Sequence, residues 1–133
     1  MWWLPYCFNP MTIHAFLLIL GGVLLNAMAQ LLLKMATNKV GVIQASSALS
    51  LAALSALFAQ WPMVLGLLCY GMSLLIWLMA LSRVDVTLAY PMLAIGYVLN
   101  AMAAQHFLGE SISLQRWLAI GIIMLGVALL AKS

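Results

Sequence analysis

Apolar runs separated by short polar or proline-bearing breaks dominate the pattern of this chain. Four runs have the length of a membrane span: residues 12–34, 63–82, 86–107 and 114–131. An α-helix rises 1.5 Å per residue, so about 20 residues cross the roughly 30 Å hydrocarbon core of a bilayer. Lys34 closes the first run, Trp61-Pro62 stands before the second, Asp85 precedes the third, and the stretch LGESIS (108–113) separates the third from the fourth. A loop that short implies antiparallel neighbours, and Ser113 is placed to cap the last helix. Residues 42–60 (VIQASSALSLAALSALFAQ) are as long as a span but rich in Ala and Ser. Ser46, Ser47 and Ser50 share one helix side while Ser55 does not. The segment predicts an interfacial or re-entrant helix, with a fifth span as the alternative. The expected fold class is an all-α integral membrane protein: a four-helix membrane domain over 12–133, preceded by an interfacial segment over 1–11.

Composition narrows the class further. The chain is 68% hydrophobic and 5% charged, against roughly 25% charged residues in soluble domains, which excludes a water-soluble monomer. Its cations are Lys34, Lys39, Arg83, Arg116 and Lys132 and its acids Asp85 and Glu110, too few for a nucleic-acid surface. Four spans place Lys34, Lys39 and Arg116 on one side of the membrane and Arg83 and Lys132 on the other. So small a difference does not orient the chain. It permits insertion in both directions and an antiparallel homodimer, a single orientation being the alternative. Residues 1–10 (MWWLPYCFNP) have no positive n-region and are not a cleavable signal. Trp2, Trp3 and Tyr6 suit the membrane–water interface, and Met11 is an alternative start. Cys7 and Cys69 have no metal-ligand spacing and read as incidental thiols.

Polar groups inside a span are costly and face protein, water or substrate. Gly22, Asn26, Gln30 and Lys34 follow one another at i+4 and share one face of the first helix. This stripe is either one wall of a polar path to an interfacial phosphate site, or interhelical hydrogen-bond glue with Lys34 snorkelling to the surface. Gly66, Tyr70, Ser73 and Trp77 share a face of the second span, in a pattern that serves packing or a substrate path. Tyr90 and Tyr97, seven apart, share a side of the third. Pro91 frees a backbone carbonyl there and predicts a kink, which a span tolerates beside protein or a cavity. Neither acid lies deep in a span, and His14 and His106 lie near span ends. No metal cluster, nucleophile pair or phosphate-cradling loop stands out, so neither an enzyme nor a cofactor is expected.

The stretch FLGESISLQRWLAIGIIMLGV (107–127) resembles the closing motif of the drug/metabolite transporter superfamily. In that pattern a Gly-Glu pair precedes a last span with spaced glycines, here Gly109-Glu110, Gly121 and Gly126-Val127. Ala89-Tyr90-Pro91-Met92 is similar to that superfamily too. A single four-span unit resembles its small multidrug resistance branch, which works as a dimer, over nearly all of the chain after Met11. Where those exporters carry a proton-binding glutamate this chain has Asn26, and where they carry a substrate-stacking Trp it has Leu93. Asn cannot exchange a proton near neutral pH, so drug/proton antiport is not implied.

The subunits of the aminoarabinose–phosphoundecaprenol flippase are a closer resemblance. They lack the glutamate and share a Gln matched by Gln30, and one of them resembles Gly66-Leu-Leu-Cys-Tyr70 with Ser73 and Trp77. The resemblance implies a flippase moving an undecaprenyl (polyprenyl) phosphate-linked sugar or related lipid across the bacterial inner membrane, driven by dissipation of a gradient or by coupling elsewhere. Asn26, Gln30, Tyr70, Trp77, Tyr90 and Tyr97 would line the head-group path. Lys34, Arg83 and Arg116 are the candidates for the phosphate, Arg116 having a solvated first-turn position as its alternative. Glu110 reads as a structural contact. The expected partners are the lipid-linked substrate, membrane lipids and a second subunit, either identical or a similar four-helix chain. An exporter of small cations, a non-transporting subunit and, last, a lipid-modifying enzyme are the rival classes.

Overall fold

A computed structural model of the protein describes residues 12–44, 46 and 50–132. Segment 1–11 with Trp2, Trp3, Tyr6 and Cys7, as well as Ser47 and the side chain of Lys132, lie outside the described residues. Every regular element among those described is a helix: α1 (Ile13–Val40), α2 (Leu51–Phe58), α3 (Trp61–Leu81), α4 (Val86–Met92), α5 (Ala94–Phe107) and α6 (Leu114–Lys132).

Local chemistry sets the ends. Thr12 Oγ1 accepts from the Ala15 N–H at 3.3 Å and starts α1. Gly41, at φ +91°, stops it and returns its N–H to the Thr37 carbonyl at 2.9 Å. The helix therefore runs on past Lys34, because Met35 and Ala36 are good helix formers and Ala36 is fully buried. In the 42–60 segment, the extended Ser50 takes the Ala53 N–H at 3.2 Å and confines the helix after it to eight residues. At about 12 Å, α2 is too short to cross a bilayer. Pro62 occupies the first turn of α3, where its missing N–H costs nothing.

Pro91 lies inside α4, and the helix is interrupted at Leu93 before α5 resumes. Three-residue bonds replace the helical ladder on either side of the break, from Leu93 N–H to the Tyr90 carbonyl and from Gly96 N–H to the Leu93 carbonyl. Counted together, α4 and α5 form a 22-residue apolar stretch. With α1 and α3 it makes three helices long and apolar enough to cross a membrane among the described residues. The shorter apolar stretch Leu114–Leu130 lies in α6.

The dominant contact is α1 against α3, with α5 packed on α1, while among the described elements α6 touches only α4 and α5. A seven-residue repeat of small side chains explains the first of these. Ala15, Gly22, Ala29 and Ala36 are buried on α1, and Gly66, Ser73 and Ala80 on α3. That period keeps one seam in register between two helices crossing at a shallow angle. Small residues let membrane helices approach where lipid leaves no hydrophobic driving force between them. The approach is closest at Gly66, where an added Cβ would lie 3.1 Å from the Leu33 side chain. Ile19, Val23, Ala80 and Ala89 form the buried core beside this seam, with Trp77 and Leu93 against it.

Candidate functional site

The polar stripe of α1 lines two cavities in succession. The first, of about 230 Å³, is bounded by Gly22 and Asn26 of α1, by Tyr70, Ser73, Leu74 and Trp77 of α3, and by Leu93 at the helix break. Gly22 and Ser73 belong to the small-residue seam, so the cavity opens where the two helices leave space between them. The Ser73 hydroxyl donates to the Tyr70 carbonyl at 2.7 Å. The polar groups its lining residues hold for a guest include the Asn26 amide, the Tyr70 hydroxyl and the Trp77 indole N–H. Trp77 is steadied by an edge-on contact with Tyr90, centroid to centroid 5.8 Å at 82°. Tyr90 thus stands behind the cavity wall, and Pro91 follows it immediately. No carboxylate lines this cavity, and what it offers a guest is neutral hydrogen bonds and aromatic contact.

The second cavity, of about 270 Å³, continues toward the C-terminal end of α1 and is lined by Gln30, Leu31, Lys34, Asn100, Ala104, Leu108 and Glu110. Gly109 lies between two of its lining residues, Leu108 and Glu110. In the left-handed region at φ +65°, it turns the chain so that the Glu110 N–H returns to the Ala104 carbonyl at 3.2 Å. A cation and an anion from different elements therefore face one space. Lys34 also lines a neighbouring cavity of about 400 Å³ with Thr37, Asn38, Gly41, Val42 and Ile43. Nearby, the Lys39 ammonium lies over the Trp61 ring at 6.0 Å.

The three candidate phosphate cations are not gathered at one place. Arg83 lines a cavity of about 660 Å³ with His14, Leu17, Leu18 and Met79, and its Nη1 donates to the Met79 carbonyl at 2.9 Å. His14 and Lys34 are separated by twenty helical residues of α1, or about 30 Å. Arg83 and Lys34 thus serve opposite ends of the helix pair and cannot hold one phosphate together. Arg116 sits exposed in the first turn of α6, its own N–H directed to Ser113, and lines none of these four cavities. Tyr97 is exposed and lines none of them either. Among the described residues, no group of three or more His, Cys, Asp or Glu could hold a metal.

Asn100 is the site residue that sequence reasoning missed. It lies four residues after Gly96, whose missing side chain lets α5 approach Val23 of α1. The i+4 rule that picked out Asn26 would have found it. Asn26 and Leu93, the two positions at which the chain departs from the small exporters it resembles, line the same cavity.

The model of the EamA-like transporter family matches residues 60–132, more than half of the chain. A protein of Pseudomonas syringae pv. syringae (strain B728a), named a probable 4-amino-4-deoxy-L-arabinose-phosphoundecaprenol flippase subunit ArnE, is 41% identical over 78 residues, 59% of this chain and 69% of the relative. Proteins of the same name from Pseudomonas aeruginosa (strain LESB58) and Yersinia pestis (strain Pestoides F) are 43% and 36% identical. Those matches cover 56% and 54% of this chain and 64% and 62% of the relatives, less than two thirds of their length. No solved structure matches the chain significantly. The chain belongs to the EamA-like transporter family and is a multi-pass protein of the bacterial inner membrane.

Proposed function

We propose that this EamA-like chain is a subunit of a flippase that carries a polyprenyl-phosphate-linked sugar across the membrane, with α1, α3, α4–α5 and α6 as four spans. The observation that carries the reading is the continuous polar face of α1, from the neutral Asn26 cavity to the charged Lys34 cavity. Relatives named as lipid-linked sugar flippase subunits support it. The polyprenyl tail stays in lipid. The phosphate is met by Lys34 at one end and by Arg83 at the other, and the sugar passes between them over Asn26, Gln30, Tyr70 and Trp77. The two cations act in turn, one in each leaflet. The functional unit is a dimer, of identical chains or of this chain with a similar four-helix subunit.

The test is flipping of a fluorescent polyprenyl-phosphate sugar in proteoliposomes. Lys34→Ala lowers the rate at least tenfold if Lys34 holds the phosphate, since a charge-assisted contact is worth about 1.5–3 kcal/mol. An unchanged rate removes Lys34 from the path. An exporter of small cations is less well supported, because the Asn26 cavity offers such a guest no carboxylate.

A further inference from the structure

We infer that the cavity lined by His14 and Arg83 is a site for a lipid phosphate monoester, the bare anionic end of a lipid that carries no sugar. The site rests on the flippase reading only in that Arg83 meets a lipid phosphate at this end of the helix pair. It adds His14, and the form of lipid that the two side chains select. Of the four cavities, this one has two basic side chains and no carboxylate, whereas Lys34 shares its space with Glu110. Asp85 follows Arg83 by two residues but does not line the cavity. A phosphate monoester carries about −1.5 to −2 charges at pH 7 and three free oxygens. A diester has one charge and two free oxygens, which Arg83 alone can match. His14, as a cation or as a neutral donor, meets the additional oxygen of a monoester.

The guanidinium is already positioned. Its Nη1 donates to the Met79 carbonyl at 2.9 Å, which leaves Nη2 and Nε for a ligand. The remaining lining is Leu17, Leu18 and Met79. It offers no amide or hydroxyl side chain to a sugar, unlike the cavities that hold Asn26 and Tyr70 or Gln30 and Asn100. Leu17 and Met79 are half-exposed, so a hydrocarbon chain leaves the cavity over apolar surface. A lipid-linked sugar phosphate becomes such a monoester when its sugar is transferred. The anomeric C–O bond breaks, the oxygen stays on phosphorus, and the acceptor hydroxyl takes the glycosyl group and gives up its proton. The site therefore suits the lipid that a glycosyl transfer leaves behind.

The test uses the full chain in nanodiscs and a photoreactive farnesyl phosphate, with attachment at residues 14–18 and 79–83 read by mass spectrometry. Farnesyl phosphate competes for that attachment about tenfold better than farnesyl methyl phosphate, which differs by one methyl group on the phosphate. This comparison needs no variant. His14→Gln brings the monoester down to the level of the diester, His14→Arg keeps the preference, and Arg83→Gln weakens both. Equal competition by the two probes in wild type, with Arg83→Gln still weakening both, overturns the monoester site and leaves the Arg83 contact of the flippase reading standing. A preference that survives His14→Gln also overturns it. No attachment at these residues, or attachment indifferent to Arg83→Gln, ends both. Phosphatidic acid competing as well as farnesyl phosphate supports a site for any lipid monoester, and competing weakly narrows it to a prenyl lipid. Inorganic phosphate competing as well as farnesyl phosphate overturns the lipid site in favour of a free anion.

Discussion

Along the α1–α3 seam, Gly22 and Gly66 each have the opposite helix within van der Waals reach, and at Gly66 a methyl group would press on Leu32 and Leu33 at 3.1–3.2 Å. Along α6, a Cβ added at Gly121 or Gly126 would meet no described residue of this chain within 4 Å, and Leu118, Ile122, Leu125 and Leu129 are all more than 60% exposed. Both helices are apolar, so composition does not separate them. Their partners do. The seam is completed within one chain, whereas α6 presents its apolar surface outward, to lipid or to a second subunit. In water such a helix would be an aggregation hazard. In a bilayer it carries no such penalty, because lipid is as apolar as leucine.

The contrast yields graded expectations. Gly66→Leu forces α1 and α3 apart and destabilises the fold by about 3 kcal/mol, read by reversible unfolding in mixed detergent micelles; wild-type stability would mean the seam is not tight. Trp77→Ala removes a half-buried ring and its contact with Tyr90, at a cost of about 2 kcal/mol in the same assay. Gly109→Ala places a Cβ in the left-handed region and costs about 1 kcal/mol, with weaker ligand binding at the Lys34–Glu110 cavity as its second readout. Gly121→Leu changes single-chain stability by less than about 0.5 kcal/mol. If α6 faces a second subunit, it lowers the dimer fraction counted by single-molecule photobleaching. A large single-chain effect there would erase the distinction between the two surfaces.

Helices were the legible part of the fold, because spans announce themselves by sustained apolarity and Pro91 marks its own break. The extent of α2 was not legible. Ala and Ser tolerate a helix throughout 42–60, and only the Ser50 side chain turning to the Ala53 N–H sets its start. The i+4 stripe from Gly22 to Lys34 was visible because it needs nothing beyond one helix. Its division into two cavities was not, since that depends on which face of α5 meets Val23 and on the turn at Gly109. The separation of Arg83 from Lys34 was legible too, since four spans already place the two cations on opposite sides of the membrane. The small-residue heptads of α1 and α3 were present in the sequence but are dispersed among larger apolar residues at every other register.

The length of α1 has one more consequence. Its 28 residues extend about 42 Å, roughly 12 Å more than the hydrocarbon layer is thick. With Ile13 at one edge of that layer, Lys34 falls at the other, in the plane where bilayer lipids already hold their phosphates. In the proposed flippase, capturing a lipid-linked phosphate there would be a lateral exchange of counter-ions at constant depth, and the phosphate would keep its surroundings of water and charge. On the proposed route the steep part would start one to two turns inward, at Gln30 and Asn26, where the head group would part from that layer with only uncharged side chains beside it.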